Sequence, residues 1–216
     1  MANSTIPELS DAVAITSAFG FPAADGLGND VEVGADLFKT WVGSVLRSFY
    51  IPAAAIRPSY TGGCAALALV ATASNKPDIS SLDFDSTTAE YAQFWVRMPK
   101  SWNEGTITAS FLWSHGSTTT NFGVRWGLQA VAVSDGDSMN AAYGTAQEVT
   151  DTGGTADTLY TSGKTSAITI AGTPAAEDLV AFRVYRDPAN AGDTMAVDAR
   201  LMGVNVFFTT TTTDET

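Results

Sequence analysis

A single cysteine and a single histidine in 216 residues remove whole classes of chemistry. One thiol cannot close an intrachain disulfide or supply a thiolate metal cage. Cys64 lies in the apolar stretch GGCAALALVA, where burial as a small hydrophobe is expected. The lone imidazole, His115 in LWSHGSTTTN, would have to serve any triad, and no G-x-S-x-G elbow accompanies it. At the expected end of a strand it reads as a surface or hydrogen-bonding residue. Charge is scarce as well, at 16% of residues against an average of about 25%. Cations are the scarcer sign: 11 Lys and Arg face 23 Asp and Glu, for a net charge of −12. That balance excludes nucleic acid as an expected partner, because phosphate binding needs clustered Lys and Arg. No apolar run approaches the ~18 residues of a membrane-crossing helix, so no membrane insertion is expected. The opening MANSTIPELSDAVA has no basic segment followed by a continuous apolar one. It is not expected to direct secretion, and synthesis in a cytoplasm follows.

The carboxylates that remain fall in turns. Asp78, Asp83 and Asp85 cluster ahead of a strand, Asp135 and Asp137 flank Gly136, and Asp187 and Asp193 bracket DPANAGD, each group with Asp beside Gly, Ser or Pro. The D-G-D triplet lacks the spaced ligands and distal Glu of a calcium loop. YTGGCAA and DTGGTAD match neither a phosphate loop nor a dinucleotide fingerprint. No catalytic residue, cofactor site or metal site is therefore expected.

What the chain does have is alternation. In AEYAQFWVRMP, Ala92, Phe94, Val96 and Met98 alternate with Tyr91, Gln93, Trp95 and Arg97. Ile107, Ala109, Phe111 and Trp113 form a second apolar set, and Phe122, Val124, Trp126, Leu128 and Ala130 a third, with Gly123, Arg125, Gly127 and Gln129 facing away. Further strands are predicted at residues 65–72, 158–160, 167–170, 179–185 and 199–208. The last needs a bulge near Gly203 to keep both of its apolar sets inside. Residues 135–165, rich in Gly, Asp, Thr and Ser, read as long loops or a protruding hairpin. About eight strands with turn signals between them, and no helical period, predict an antiparallel jelly roll or β-sandwich.

Ahead of this body the pattern differs. Asp25 to Asn29 supply turn residues and Val31 and Val33 a short strand. From Ala35 the period becomes helical, with Leu37, Trp41 and Val45 at i, i+4, i+8 and Phe38, Val42 and Leu46 beside them. So wide an apolar stripe cannot stand alone in water and must pack on this chain's own β domain, on another copy or on a platform. Leu37, Phe38, Trp41 and Val45 are the expected anchoring residues. The predicted organisation is an adaptor over 1–50, a connection over 51–64 bracketed by Pro52 and Pro58, a β domain over 65–208 and a Thr-rich tail over 209–216. Trp102, between two strands, and Trp95, on the polar face of its strand, are the candidates for a glycan platform or a buried subunit contact.

The segment FPAADGLGNDVEVGADLFKTWV resembles the short N-terminal adaptor of many bacteriophage fibre and spike proteins. LVAFRVYRDPANAGDTMAVDARLMGVNVFF is similar to the closing strands of jelly-roll modules in phage structural proteins. The resemblance implies a virion structural protein: a head or tail fibre subunit, or a capsid decoration protein, made in a bacterial host. It implies a homotrimer, with other virion proteins and host-surface polysaccharide as partners. Arg183, Arg186, Asp187, Asp193, Asp198 and Arg200 occupy the recurrent charged positions of that pattern, and the resemblance implies structural ion pairs there, with Arg183, Arg186, Asp187, Asp198 and Arg200 as the expected members. Two rival readings remain: a stand-alone carbohydrate-binding module and a polysaccharide-degrading enzyme.

Overall fold

Each alternating segment has one apolar face to bury, and the chain does so by laying two antiparallel sheets on each other. The computed structural model describes residues 45–117 and 122–211. Eleven strands are formed by these residues: β1 (Val45–Pro52), β2 (Arg57–Pro58), β3 (Ala68–Val70), β4 (Ile79–Phe84), β5 (Glu90–Arg97), β6 (Thr108–Ser114), β7 (Phe122–Val133), β8 (Gln147–Gly153), β9 (Tyr160–Thr161), β10 (Leu179–Arg186) and β11 (Ala199–Thr210). The first sheet runs β3-β4-β11-β6-β9, with β1 also paired to β11, and the second runs β2-β5-β10-β7-β8. The fold is mainly β, a sandwich of the jelly-roll kind, and one 3-10 turn, Ala53–Ala55, is the helical element among the described residues.

The core lies between the sheets and is strongly aromatic. Trp126 of β7 meets Phe111 of β6 in a stacked pair at 5.8 Å and Phe84 of β4 edge-on at 5.2 Å, so the contact crosses from one sheet to the other. Aromatic pairs of this kind add about 0.5–1.5 kcal/mol beyond the area they bury. The Trp113 indole N–H donates to Asp151 at 2.7 Å, which ties β6 to β8 across the sandwich. Beyond β9, residues 162–168 continue along β6 with side-chain oxygens interposed in the ladder: Ser162 Oγ accepts from Phe111 N–H and Thr165 Oγ1 from Ala109 N–H. That is why the segment expected as a strand at 167–170 appears only as an isolated bridge from Ile168 to Ile107.

The bulge expected near Gly203 is present: Leu201 pairs with Trp113 and Gly203 with Leu112, so one extra residue resets the phase. Leu201, Val204, Val206 and Phe208 are all buried as a result.

Several expectations are corrected. The helical stripe predicted to continue through Val45 and Leu46 is extended backbone there, because β1 pairs with β11 along its whole length from Val45↔Thr210 to Pro52↔Gly203. Val45, Phe49 and Ile51 then lie on one side and Leu46, Ser48 and Tyr50 on the other. Residues 51–64, read as a connection, are tied into the body: β2 pairs with β5 at Arg57↔Gln93, and Gly63 bridges to Tyr91. The apolar run at 65–72 forms only the three-residue edge strand β3, on which Leu69 is 74% exposed. Asp83, expected in a turn, lies in the further strand β4, and β8, antiparallel to β7, falls inside the stretch expected as long loops or a protruding hairpin. Residues 21–42 and the tail beyond 211, including Leu37, Phe38 and Trp41, lie outside the described residues.

Candidate functional site

The outer face of the second sheet carries side chains that a merely wet β surface does not need. Register fixes which of them are neighbours. Arg57 of β2 pairs with Gln93 of β5, Gln93 with Arg183 of β10, and Arg183 with Gln129 of β7, so four long polar side chains form one row across four strands. The next row is Tyr91, Tyr185, Gly127 and Glu148. On the other side of the polar row, Trp95 pairs with Ala181, and Ala181 with Val131. Residues that face each other across a ladder point to the same side, so each row is contiguous on this face.

The aromatic row is held in place. Tyr91 and Tyr185 lie 5.6 Å apart with their rings tilted by 38°. Tyr185 lies flat over Gly127, where any Cβ would overlap its ring, so glycine at that position is what lets the ring rest on the sheet. Its hydroxyl donates to Glu148 Oε1 at 2.6 Å, and Arg125 Nε donates to Glu148 Oε2 at 2.9 Å. Burial and the Glu148 carboxylate that accepts its proton push the Tyr185 hydroxyl well above the usual phenol range. It is therefore a fixed neutral donor rather than an acid or base near neutrality.

Arg183 is the centre of the polar row. Its guanidinium sits 4.7 Å from the Tyr91 ring centre and 4.8 Å from that of Tyr143, which reaches over from the segment after β7. The Gln129 amide oxygen accepts from Arg183 Nε and Nη2, while its NH₂ donates to the Gly144 carbonyl at 3.2 Å. Burial raises the Tyr143 hydroxyl, and the positive charges of Arg183 and Arg57 partly oppose that shift. The Gln93 amide is steadied by Ser59 Oγ at 3.1 Å.

Toward the β2 edge the face opens into a cleft of about 310 Å³, lined by Ala54, Ala55, Ile56, Arg57, Gln93, Phe94 and Trp95. The centre of the face is closed, with Gln129, Val131 and Ala181 each buried. Tyr91, Gln93, Trp95, Arg183, Tyr143 and Tyr185 are half-buried, and Arg57 is exposed. Held aromatic rings, planar amides and guanidiniums on a shallow surface suit a flat, hydroxyl-rich ligand. The rings offer apolar faces, and the amides and guanidiniums offer paired hydrogen bonds in fixed planes.

The residues singled out in the sequence fall in different places. Trp95 is on this face. Trp102 is not: it is 2% exposed, in the core, with its backbone bridged to Thr210, so it cannot serve as a platform. Arg183 has no carboxylate partner among the described residues and belongs to the face. Arg186 is fully buried and forms a two-toothed pair with Asp193, Nε to Oδ2 at 2.9 Å and Nη2 to Oδ1 at 2.8 Å, and it also donates to the Val197 and Met195 carbonyls. Its partner is Asp193, one of the carboxylates of that charged pattern, while Asp187 accepts from Ala189 N–H in a local turn. Arg200 pairs with Asp157 at 2.8 Å and approaches Asp83 at 4.0 Å, and Asp198 is exposed. Val45 is a strand residue on the inner side of β1. His115 is buried, with Nδ1 accepting from Ser117 N–H at 3.3 Å. Cys64 is buried, and desolvation, followed by the nearby Glu90, pushes its thiol up to about 12. Among the described residues no three His, Cys, Asp or Glu side chains converge as a metal set, and no helix is long and apolar enough to cross a membrane.

Sequence reasoning missed Tyr91, Tyr143, Tyr185, Arg57 and Gln129 as a group. A signal was available: outward positions of the strands at 91–97 and 179–185 include Tyr91, Gln93, Trp95, Arg183 and Tyr185, where the strand at 108–114 has Thr108, Ser110 and Ser114.

No family model matches the chain, and no curated protein does. Solved structures of similar outline include the CBM22-2 xylan-binding domain from Paenibacillus barcinonensis Xyn10C, at 12% identity and a TM-score of 0.42 over 73% of this chain and 97% of that one. The family 11 carbohydrate-binding module from Clostridium thermocellum, in complex with a β-1,3-1,4-mixed-linked tetrasaccharide, is 8% identical with a TM-score of 0.38, over 74% and 87% of the two chains. Infectious bursal disease virus strain Gx is 8% identical with a TM-score of 0.36, over 90% of this chain and 38% of that one. Likenesses this distant bear no weight for function, and the fold stands on the strand pairing itself.

Proposed function

We propose that this chain is a glycan-binding β domain and that its binding surface is the outer face of the β2-β5-β10-β7-β8 sheet. One observation carries the reading: register places the polar row Arg57, Gln93, Arg183 and Gln129 between Tyr91 and Tyr185 on one side and Trp95 on the other. A surface kept only for solubility has no use for a tyrosine laid over a glycine with its hydroxyl tied to a carboxylate. The reading is of binding without turnover. Glu148, the carboxylate these strands carry on the face, is engaged by Arg125 and Tyr185 and serves to hold the tyrosine in place. Display of this domain on a larger particle rests on the sequence resemblance of residues 21–42 and 179–208 alone.

Titration calorimetry against a panel of soluble polysaccharides and their oligomers tests the proposal. Binding of at least one glycan is expected, weakened about tenfold or more, ~1.4 kcal/mol, by Tyr185→Ala and by Trp95→Ala, and unchanged by Leu159→Ala on the far edge. No binding across the panel, or equal binding by both face variants and the parent, overturns it.

A further inference from the structure

Charge bookkeeping on this face does not balance, and the imbalance says what kind of glycan it takes. Acidic residues outnumber basic ones 23 to 11, so arginines find carboxylates readily. Arg97, Arg125, Arg186 and Arg200 each have a carboxylate oxygen within 4.0 Å. Arg47, Arg57 and Arg183 have none among the described residues; Arg47 lies on β1 of the other sheet, whereas Arg57 and Arg183 belong to the same cross-strand row. Arg183 is held instead by neutral groups, the Tyr91 and Tyr143 rings and the Gln129 amide oxygen. Gln129 occupies the Nε and Nη2 edge and leaves Nη1 and the outer N–H of Nη2 as an end-on fork. Gln93 stands between the two arginines in the row, whose backbones are two strand spacings apart, about 10 Å. We infer that the ligand is an acidic glycan whose carboxylates are taken by Arg183 and Arg57; the inference rests on the glycan-binding reading above.

The chemistry favours a carboxylate over a hydroxyl at this row. A guanidinium lends charge assistance to a bond with any acceptor, but an ionised one adds mutual Coulomb attraction, and the planar fork matches a carboxylate's two oxygens. A half-buried guanidinium with aromatic neighbours is also shielded from the water that would otherwise compete. Long-range attraction does not explain binding here, since a chain of net charge −12 repels polyanions in general. Recognition has to be local, so it is sensitive to single side chains.

The test uses the full chain and three probes, oligogalacturonate, oligomannuronate and sialyllactose, each against its carboxyl-reduced or desialylated counterpart. At least one acid form is expected to bind tenfold or more tightly than its neutral counterpart. Arg183→Gln and Arg57→Gln should each reduce that preference at least threefold, and Arg183→Lys should not restore it, since a point charge lacks the fork. Arg57 is exposed, so its variant reads binding without a folding burden, and near-UV circular dichroism checks the Arg183 variants. Equal binding of acid and neutral forms, or a preference that survives both glutamine variants, overturns the inference and leaves the glycan reading standing. Binding of neutral glycans alone does the same. Absence of binding to every acidic and neutral glycan overturns both.

Discussion

The most consequential buried charge in this protein is Arg186, which is fully enclosed and makes its pair with Asp193 at 0% and 1% side-chain exposure. A buried pair of this kind contributes little net stability relative to an apolar pair, but removing one partner strands the other charge, typically at about 3–5 kcal/mol. Asp193 also accepts from Arg125 N–H at 3.0 Å, and the Arg186 guanidinium caps the Phe84, Met195 and Val197 carbonyls, so the pair joins both sheets to the loop before β11. Asp193→Ala is expected to lower unfolding free energy by ~3–5 kcal/mol in urea titration, whereas Asp198→Ala, at an exposed position, should leave it unchanged. His115 makes the second residue-scale prediction. Burial holds its imidazole below the ordinary value of 6.5, with Arg200 adding to the shift and Ser117 and Asp157 opposing it. With the folded value depressed, the unfolded chain binds the extra proton first, so stability is full above about pH 6.5 and falls as the pH drops below it. Thermal unfolding followed from pH 7.5 to 5.5 should show that loss, and His115→Gln should flatten it; an unchanged slope in the variant would assign the loss to other groups.

At the scale of elements, β1 and β11 show how a single glycine arbitrates a strand pair. Gly203 sits at the bulge, buried, with the Tyr50 ring lying across it so that any Cβ would overlap, and the Tyr50 hydroxyl donates to the Met202 carbonyl at 3.0 Å. Gly203→Val should therefore cost about 1–3 kcal/mol by overpacking, measurable by chemical denaturation. The double variant with Tyr50→Ala should recover part of the loss, because the two changes share one contact. This bulge was legible in the sequence, since Leu201 and Val204 demand a phase change. The strands at 90–97, 108–114, 122–133 and 179–186 were legible for the same reason, as each buries one alternating set. β1 was not: Val45 and Phe49 satisfy a helical i, i+4 spacing and, with Ile51, a strand spacing equally well, and pairing with β11 decides between them. β8 was hidden because QEVTDTG offers only Val149 to the core, and β4 because Asp83 and its neighbours look like turn residues. Of the binding face, Trp95 was legible from its outward position. The grouping of Tyr91, Tyr185 and Arg183 was not, because it depends on β5 lying beside β10, a pairing that joins residues about 90 positions apart, such as Arg183↔Gln93, and is set by the whole topology.

For the whole molecule the question is where folding ends and attachment begins. Every residue of the described core, from Ala53 to Phe208, belongs to the two-sheet body, and the partly buried residues packed on it begin at Phe49. β1 closes one side of β11 from Val45 onward. A chain starting at residue 45 thus retains the full sandwich and the complete row from Arg57 to Gln129. It is expected to unfold in one cooperative transition, because both sheets share one core, and to bind the same glycans with affinity within about threefold of the full chain, ~0.6 kcal/mol. Replacing Leu37, Phe38 and Trp41 together by Ala in the full chain should likewise leave glycan binding intact. Sedimentation velocity on the three proteins separates the roles. A change in oligomeric state caused by the shortened chain or the triple variant, with unchanged glycan affinity, assigns assembly to the N-terminal segment and recognition to the sandwich. Loss of glycan binding on removal of residues 1–44 would instead place part of the recognition surface in that segment.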